Sequence, residues 1–481
     1  VLVGGTAAGC AIGPDYKRPA VTQVPAFRGQ STAEAGSLAD VPWWDLFDDG
    51  VLKGLIREAL ASNYDVRIAA TRIEQARAQV GVARSQFYPQ IGYNFAVARS
   101  RDPLAAFGIP LTTDTTTNFY LGALSASWEL DIWGRIRRSD EAARANLFAT
   151  EDARRGVWLS LVSDLAQAYF ELLALDVQVQ IARDSAVAFQ GTYNLFEDRL
   201  RFGLASHLQT ARAEGALGGA LANIPELEKQ AVAKENQIAV LLGRAPAPIP
   251  RGKPMYAQLV VPEVPAGLPS TLLERRPDLR QAEQQLVRAN AQVGVAKAEF
   301  FPKLSLTGIL GTASPEVSAL TSGGSLVWAV AAGLTGPIFQ GGRILQNYRA
   351  SLAEREHAVL HYQQAVITAL REVADSLTAL AKLRDAEVGQ QRSVKGLQEA
   401  VGLAAERYGF GLASYYEVLE AQQQLFPAQH LLAQIRRDRL TAYVQLYKAL
   451  GGGWSLTNAQ WSDQGQEAGG GDTHVEPGYR P

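Results

Sequence analysis

The sequence predicts a mainly α-helical protein with a membrane β-strand contribution, built from one unit used twice. Three observations carry that prediction. The first is repetition: residues 63–89 (NYDVRIAATRIEQARAQVGVARSQFYP) recur about 210 residues later at 276–302 (RPDLRQAEQQLVRANAQVGVAKAEFFP), and FGLAS occurs at Phe202–Ser206 and again at Phe410–Ser414. Shared blocks in the same order at nearly the same spacing mark an internal repeat. The second is a switch of hydrophobic period to two just after Pro89 and again just after Pro302. The third is a pair of very long stretches of helical pattern, one in each half.

Residues 1–10 read as a signal-peptide remnant, and residues 11–45, rich in Pro, Gly, Ser and Thr, as an extended strap. From Trp43 the pattern turns helical, with a short helix near 46–61 and another from Asp65 to Phe87. Pro89 stops it, because proline lacks a backbone donor and pushes the preceding residue toward extended geometry. Ile91, Tyr93, Phe95 and Val97 then alternate with the small or polar Gly92, Asn94, Ala96 and Ala98. That alternation is the mark of a strand with one apolar face. Strands are expected at about 91–99 and 118–129, joined by the polar loop RDPLAAFGIPLTTDTTT, and in the second half at about 304–312 and 326–335. Each is long enough to cross a bilayer when tilted.

Helical pattern then runs over 135–202 and over 343–410. At a rise of 1.5 Å per residue each helix is about 100 Å long, a length that calls for coiled-coil neighbours. Return helices are expected at 207–242 and 414–450, so the repeats span 46–243 and 271–454. A proline-rich linker at 244–270 separates them, and the Gly-rich tail at 455–481 has the composition of partial disorder.

Composition narrows the function. A net charge of -2 gives no electrostatic case for a nucleic-acid partner. No apolar run reaches the roughly 18 residues of a membrane helix, so anything that spans a bilayer must be made of strands. The single cysteine, Cys10, excludes intrachain disulfides and Cys-based zinc sites. Cys10 ends the small-residue stretch VLVGGTAAGC, and Ala7-Ala8-Gly9-Cys10 resembles a bacterial lipobox, in which the Cys carries a diacyl lipid. Ala11 follows where an inner-membrane retention signal would place Asp, which favours outer-membrane sorting.

His357 and His361 have a spacing that can hold zinc, but no Glu follows the first and no further ligand is near, so no metal site is assigned. The Gly252-Lys253 pair sits in the linker outside any GxxxxGK[ST] phosphate loop, so the chain has no ATP-driven engine. No nucleophile triad, acid and base pair or cofactor fingerprint is present, and the expectation is a non-enzyme whose only bound group is the lipid on Cys10.

Four strands cannot close a barrel, and an open sheet edge in lipid leaves backbone groups unpaired at several kcal/mol each. Single-chain outer-membrane barrels start at 8 strands, so copies of the chain must pool theirs. Two copies would supply 8 and three would supply 12, and either number satisfies the closure.

The residues Cys10, Gly13, Pro14, Asp15, Tyr16, Arg18 and Pro19, the pair Trp43-Trp44, and the runs ERRPDL at 274–279, PIFQGGR at 337–343 and YKALGGGW at 447–454 together resemble the TolC-type outer membrane factors. Within them the chain is similar to the OprM-like lipoprotein branch, over nearly its whole length. The resemblance implies a homotrimer with a 12-stranded barrel in the outer membrane, continued by a periplasmic α-helical barrel. It also implies work as the passive exit duct of a tripartite pump for small toxic compounds. The partners would be a periplasmic adaptor, an inner-membrane transporter of the resistance-nodulation-division type, and outer-membrane lipid. A channel for polypeptide secretion with an ATP-driven partner is the closest alternative, and a lipid-anchored coiled-coil scaffold without a pore is another.

The resemblance places the periplasmic tip at the FGLAS turns. The adaptor-docking residues would be Arg201, Phe202, Gly203, Leu204 and Ser206 in the first half, and Arg407, Phe410, Gly411, Leu412 and Ser414 in the second. Tyr416 and Glu420 stand at the two positions of the closed constriction, where the family carries Leu and Asp, with Leu208 and Arg212 as their first-half equivalents. Three copies of Glu420 would form a carboxylate ring favouring cations, held shut by pairing with Arg212 or Arg407.

Overall fold

The computed structural model describes residues 11–21, 24–30, 37–101, 116–258, 266–267, 269–453 and 456–457. The expected acylation site Cys10, the loop at 102–115 and nearly all of the tail lie outside the described residues. Nine α-helices and four strands are described: α1 (Trp43–Leu46), α2 (Gly50–Ser62), α3 (Tyr64–Ser85), β1 (Gln90–Arg101), β2 (Thr116–Leu130), α4 (Arg135–Arg201), α5 (His207–Leu241), α6 (Leu272–Arg275), α7 (Pro277–Ala298), β3 (Lys303–Ser314), β4 (Leu326–Thr335), α8 (Arg343–Gly409) and α9 (Tyr415–Ala449). The helix expected near 46–61 is two pieces, α1 and α2. Asp49 breaks it, because its carboxylate caps α2 by accepting the N–H groups of Val51 at 2.9 Å and Leu52 at 3.2 Å. The return helices α5 and α9 each carry a proline, Pro225 and Pro427, without ending there.

The chain divides into two compact units. One comprises Val1–Ala20, Arg72–Glu151 and Gln281–Gln363. Its four strands form one antiparallel sheet in the order β1-β2-β3-β4. The two hairpins are therefore joined across the repeat boundary, with Leu124 opposite Leu310. Arg135 grips Glu129 with two hydrogen bonds of 2.9 Å, and Asp131 accepts the N–H groups of Ile136 and Arg137 at 3.0 and 2.9 Å. A carboxylate on the open N–H groups of a helix start is favoured both as a cap and by the helix dipole, so β2 hands directly into α4. The strap residues of the CxxGPDYxRP pattern are fastened in the same unit. Asp15 meets Arg138 at 2.7 Å, Arg18 holds Glu283 at 2.7 and 2.8 Å, and Tyr16 donates to Glu283 at 2.9 Å. Gly13 has a φ of +118°, and a Cβ there would lie 2.6 Å from the Cα of Gly294. Both the backbone angle and the space demand glycine.

The other unit comprises Val21–Thr71, Asp152–Arg280 and Gln364–Pro481. Its core is built on fully buried Trp43, Ile56, Leu165, Tyr169, Leu172, Ile238 and Tyr447. The linker is held by buried Asp49, which accepts from the Tyr169 hydroxyl at 3.1 Å, Gln258 Nε2 at 2.8 Å and the Lys253 N–H at 2.9 Å. Burial alone would raise the Asp49 pKa, but these donors and the N–H of Leu52 outweigh it and hold the carboxyl below its ordinary range. Arg251 fastens the linker again, on Asp176 at 2.9 and 3.0 Å and on Glu235. Buried Glu387 on α8 joins α9 through Arg436 at 3.3 Å and Arg439 at 2.8 Å.

Candidate gate and docking tip

Each long helix ends in the same device. Gly203 and Gly411 have φ of +71° and +72°, the left-handed region in which a side chain is strained. Leu204 N–H reaches Arg199 O at 2.7 Å and Gly203 N–H reaches Leu200 O at 3.0 Å; Leu412 and Gly411 repeat the pair on Arg407 O and Tyr408 O at 2.9 Å each. This double closure is the Schellman motif, which satisfies carbonyls that a helix end leaves open. Ser206 then starts α5, its N–H donating to Gln209 Oε1 at 2.9 Å. Ser414 caps α9 by conformation alone, without a side-chain bond. The turns display Phe202, Leu204, Phe410 and Leu412 almost fully to solvent, and a Cβ on either glycine would meet open space. The bends are thus set by the backbone, and their apolar residues have no packing role within the chain.

Behind the turns, the two helical hairpins are stitched together. The Tyr415 hydroxyl lies 2.8 Å from that of buried Thr192, and its ring meets Phe196 edge-on at 5.2 Å and Tyr408 at 4.8 Å. The Arg199 guanidinium sits 5.2 Å above the Tyr408 ring. Phe189, Leu217 and Leu419 continue this contact as an apolar cluster. Sequence reasoning passed over Tyr415 and Thr192. The only signal was the doubled tyrosine, and nothing local says which of the two faces a neighbouring helix.

Tyr416, Glu420, Leu208 and Arg212 are all exposed on the single chain. The structure brings two of them together, with the Arg212 guanidinium 5.9 Å from the centre of the Tyr416 ring. The expected pairing of Glu420 with Arg212 or Arg407 is not made within the chain. Arg212 is engaged by Tyr416, and Arg407 lies 3.7 Å from Glu417 and donates to Leu412 O at 3.4 Å. Glu420 accepts only a long bond from Gln424 at 3.5 Å among the described hydrogen bonds. Glu420 and Tyr416 thus lie one turn apart on an exposed helix face. His357 and His361 stand with ring centres 6.3 Å apart on α8. No helix among the described residues is long and apolar enough to cross a membrane.

Comparison with known proteins gives the family. The profile of the outer membrane efflux protein family matches residues 55–244 and 268–452. The chain is 34% identical to the cation efflux system protein CusC of Escherichia coli over 450 residues, covering 93% of this chain and 96% of CusC. It is 33% identical to the toluene efflux pump outer membrane protein TtgC of Pseudomonas putida over 465 residues, 95% of each. The crystal structure of the open state of the Neisseria gonorrhoeae MtrE outer membrane channel superposes with a TM-score of 0.83 at 31% identity, covering 92% of this chain and 99% of that one. The chain belongs to the outer membrane efflux protein family.

Proposed function

We propose that three copies of the chain form the exit duct of a tripartite pump, passively conducting small toxic compounds from periplasm to exterior. An adaptor docks at the glycine turns, an inner-membrane transporter supplies the energy, and a lipid on Cys10 assists anchoring. The observation that carries this reading is the four-stranded sheet with an apolar outer face and two unpaired edges, in a chain whose 67-residue helices end in exposed apolar turns. Such a sheet has no stable state in lipid until copies complete it. Tyr416 and Glu420 narrow the closed pore, and the Glu420 ring favours cations at its mouth.

Relatives named for a cation and for toluene stand at nearly equal identity, so the resemblance names no single cargo. Deleting the gene in its own host should raise accumulation of a fluorescent efflux dye, and a plasmid copy should restore export. Unchanged accumulation, with the chain shown to be expressed in the outer membrane, would sink the proposal.

A further inference from the structure

The repeats also disagree along the helix face that continues from the gate positions. On α9, Tyr416, Glu420, Gln423, Pro427, His430 and Gln434 follow one another by four and three residues, so they share one face. Their counterparts on α5 include Gly215, Gly219 and Ala222, set against Gln423, Pro427 and His430. One helix is pared down where the other is bulky, and between them, over α4, lies a hollow of about 960 Å³. Clefts that take small organic molecules measure roughly 300–1,000 Å³.

Small residues make only space; the floor of the hollow supplies chemistry. Gln178 and Ser185 of α4 line it and are 5% and 7% exposed, and neither side chain has a hydrogen-bond partner among the described residues. Buried polar groups are nearly always paired, so two open ones on one floor call for a partner from outside the chain. Pro427 adds an acceptor, because a residue without an N–H leaves the Gln423 carbonyl without its helical donor. The walls are apolar and aromatic. Phe189 and Phe426 both line the hollow and meet edge-on with ring centres 5.6 Å apart, and Leu227 and Leu431 extend the same surface.

The hollow offers no free charge. Among its described lining residues only Glu226 is ionised at pH 7, and it is occupied by Lys229 at 2.6 Å and Gln230 at 3.0 Å. Burial lowers the His430 pKa, so its ring is neutral at pH 7.

We propose that this hollow binds uncharged aromatic molecules that carry a hydrogen-bonding group, and holds them on the wall just past the gate. The ring lies against the glycine face of α5 and the two phenylalanines, and the polar group bonds Gln178 on the floor. The proposal rests on the exit-duct reading for its place on the path of cargo, and adds the class of molecule.

The test uses the full-length chain in lipid nanodiscs and two photoreactive probes, benzophenone bearing a hydroxymethyl group and its trimethylammonium counterpart. After irradiation, mass spectrometry of the digested protein locates the label. The neutral probe should label the segments 178–189, 215–230 and 423–434 at least fivefold above the rest of the helices, and excess diphenylmethanol should remove that label. The cationic probe should label them at least fivefold less. Gly219→Trp fills the hollow from a position where a Cβ meets open space, and Gly215→Leu does so one turn earlier. Either should cut labelling at least fivefold, and Gln178→Leu should cut it about threefold. Circular dichroism reports the fold of each variant; if both glycine variants unfold, the competition and Gln178→Leu decide. Label spread evenly along the helices, label unchanged in folded variants, or preference for the cationic probe overturns the proposal. Specific labelling of protein that passes no current in planar bilayers would keep the binding site and remove the duct. A conducting channel without such labelling would remove the site and keep the duct.

Discussion

Asp49 shows how one residue can do structural work that no motif announces. Its carboxylate starts α2 and receives the linker through Lys253 and Gln258, yet in sequence it is one acid in the run DLFDD. Asp49→Asn should destabilise the protein by about 1–3 kcal/mol, the usual cost of upsetting a buried charged hydrogen-bond set. Its folded pKa is depressed, so the stabilisation is present above the ordinary aspartate value near 3.9 and is lost as pH falls through the folded value. The difference in melting temperature between wild type and Asp49→Asn should shrink on acidification below about pH 4; a gap that widens would contradict the assignment. Gly13 is the opposite case, a residue legible in the sequence pattern but not in its reason. Gly13→Ala should loosen the strap, read as faster proteolysis between residues 11 and 20, because the Cβ has nowhere to go against Gly294.

Periodicity fixes an element's kind more firmly than its partners. The strands and the 67-residue helices follow from alternation and from unbroken helical pattern, and the glycine turns from FGLAS. The break between α1 and α2 was hidden because it depends on one side chain capping a helix. The Tyr415–Thr192 stitch was hidden because it depends on which helix is packed alongside. Thr192→Val with Tyr415→Phe, analysed as a double-mutant cycle, should show a coupling of about 0.5–1.5 kcal/mol. Additive effects of the two changes would mean that the contact carries no coupling. At the turns, Gly411→Val meets open space but a positive φ, so its cost is backbone strain alone, about 1–2 kcal/mol. The variant should stay folded by circular dichroism while losing binding to its adaptor; undiminished binding would remove the turn from the docking surface.

The duplication gives the whole molecule its logic. Each repeat supplies one hairpin and one long helix with its return. The repeats differ just past the turns, at the positions proposed for the gate: Leu208 is matched by Tyr416, and Arg212 by Glu420. Within the chain the Arg212 guanidinium lies 5.9 Å from the centre of the Tyr416 ring, and Glu420 accepts a long bond from Gln424. Which side chains meet was decided by the packing of α5 beside α9, which spacing along one helix does not encode. The most direct test of the account is single-channel recording of purified protein in planar bilayers, wild type beside Glu420→Ala. The account predicts a small, cation-selective conductance for wild type and a larger, less selective one for the variant. Protein that inserts into the bilayer yet passes no current in either form would contradict it.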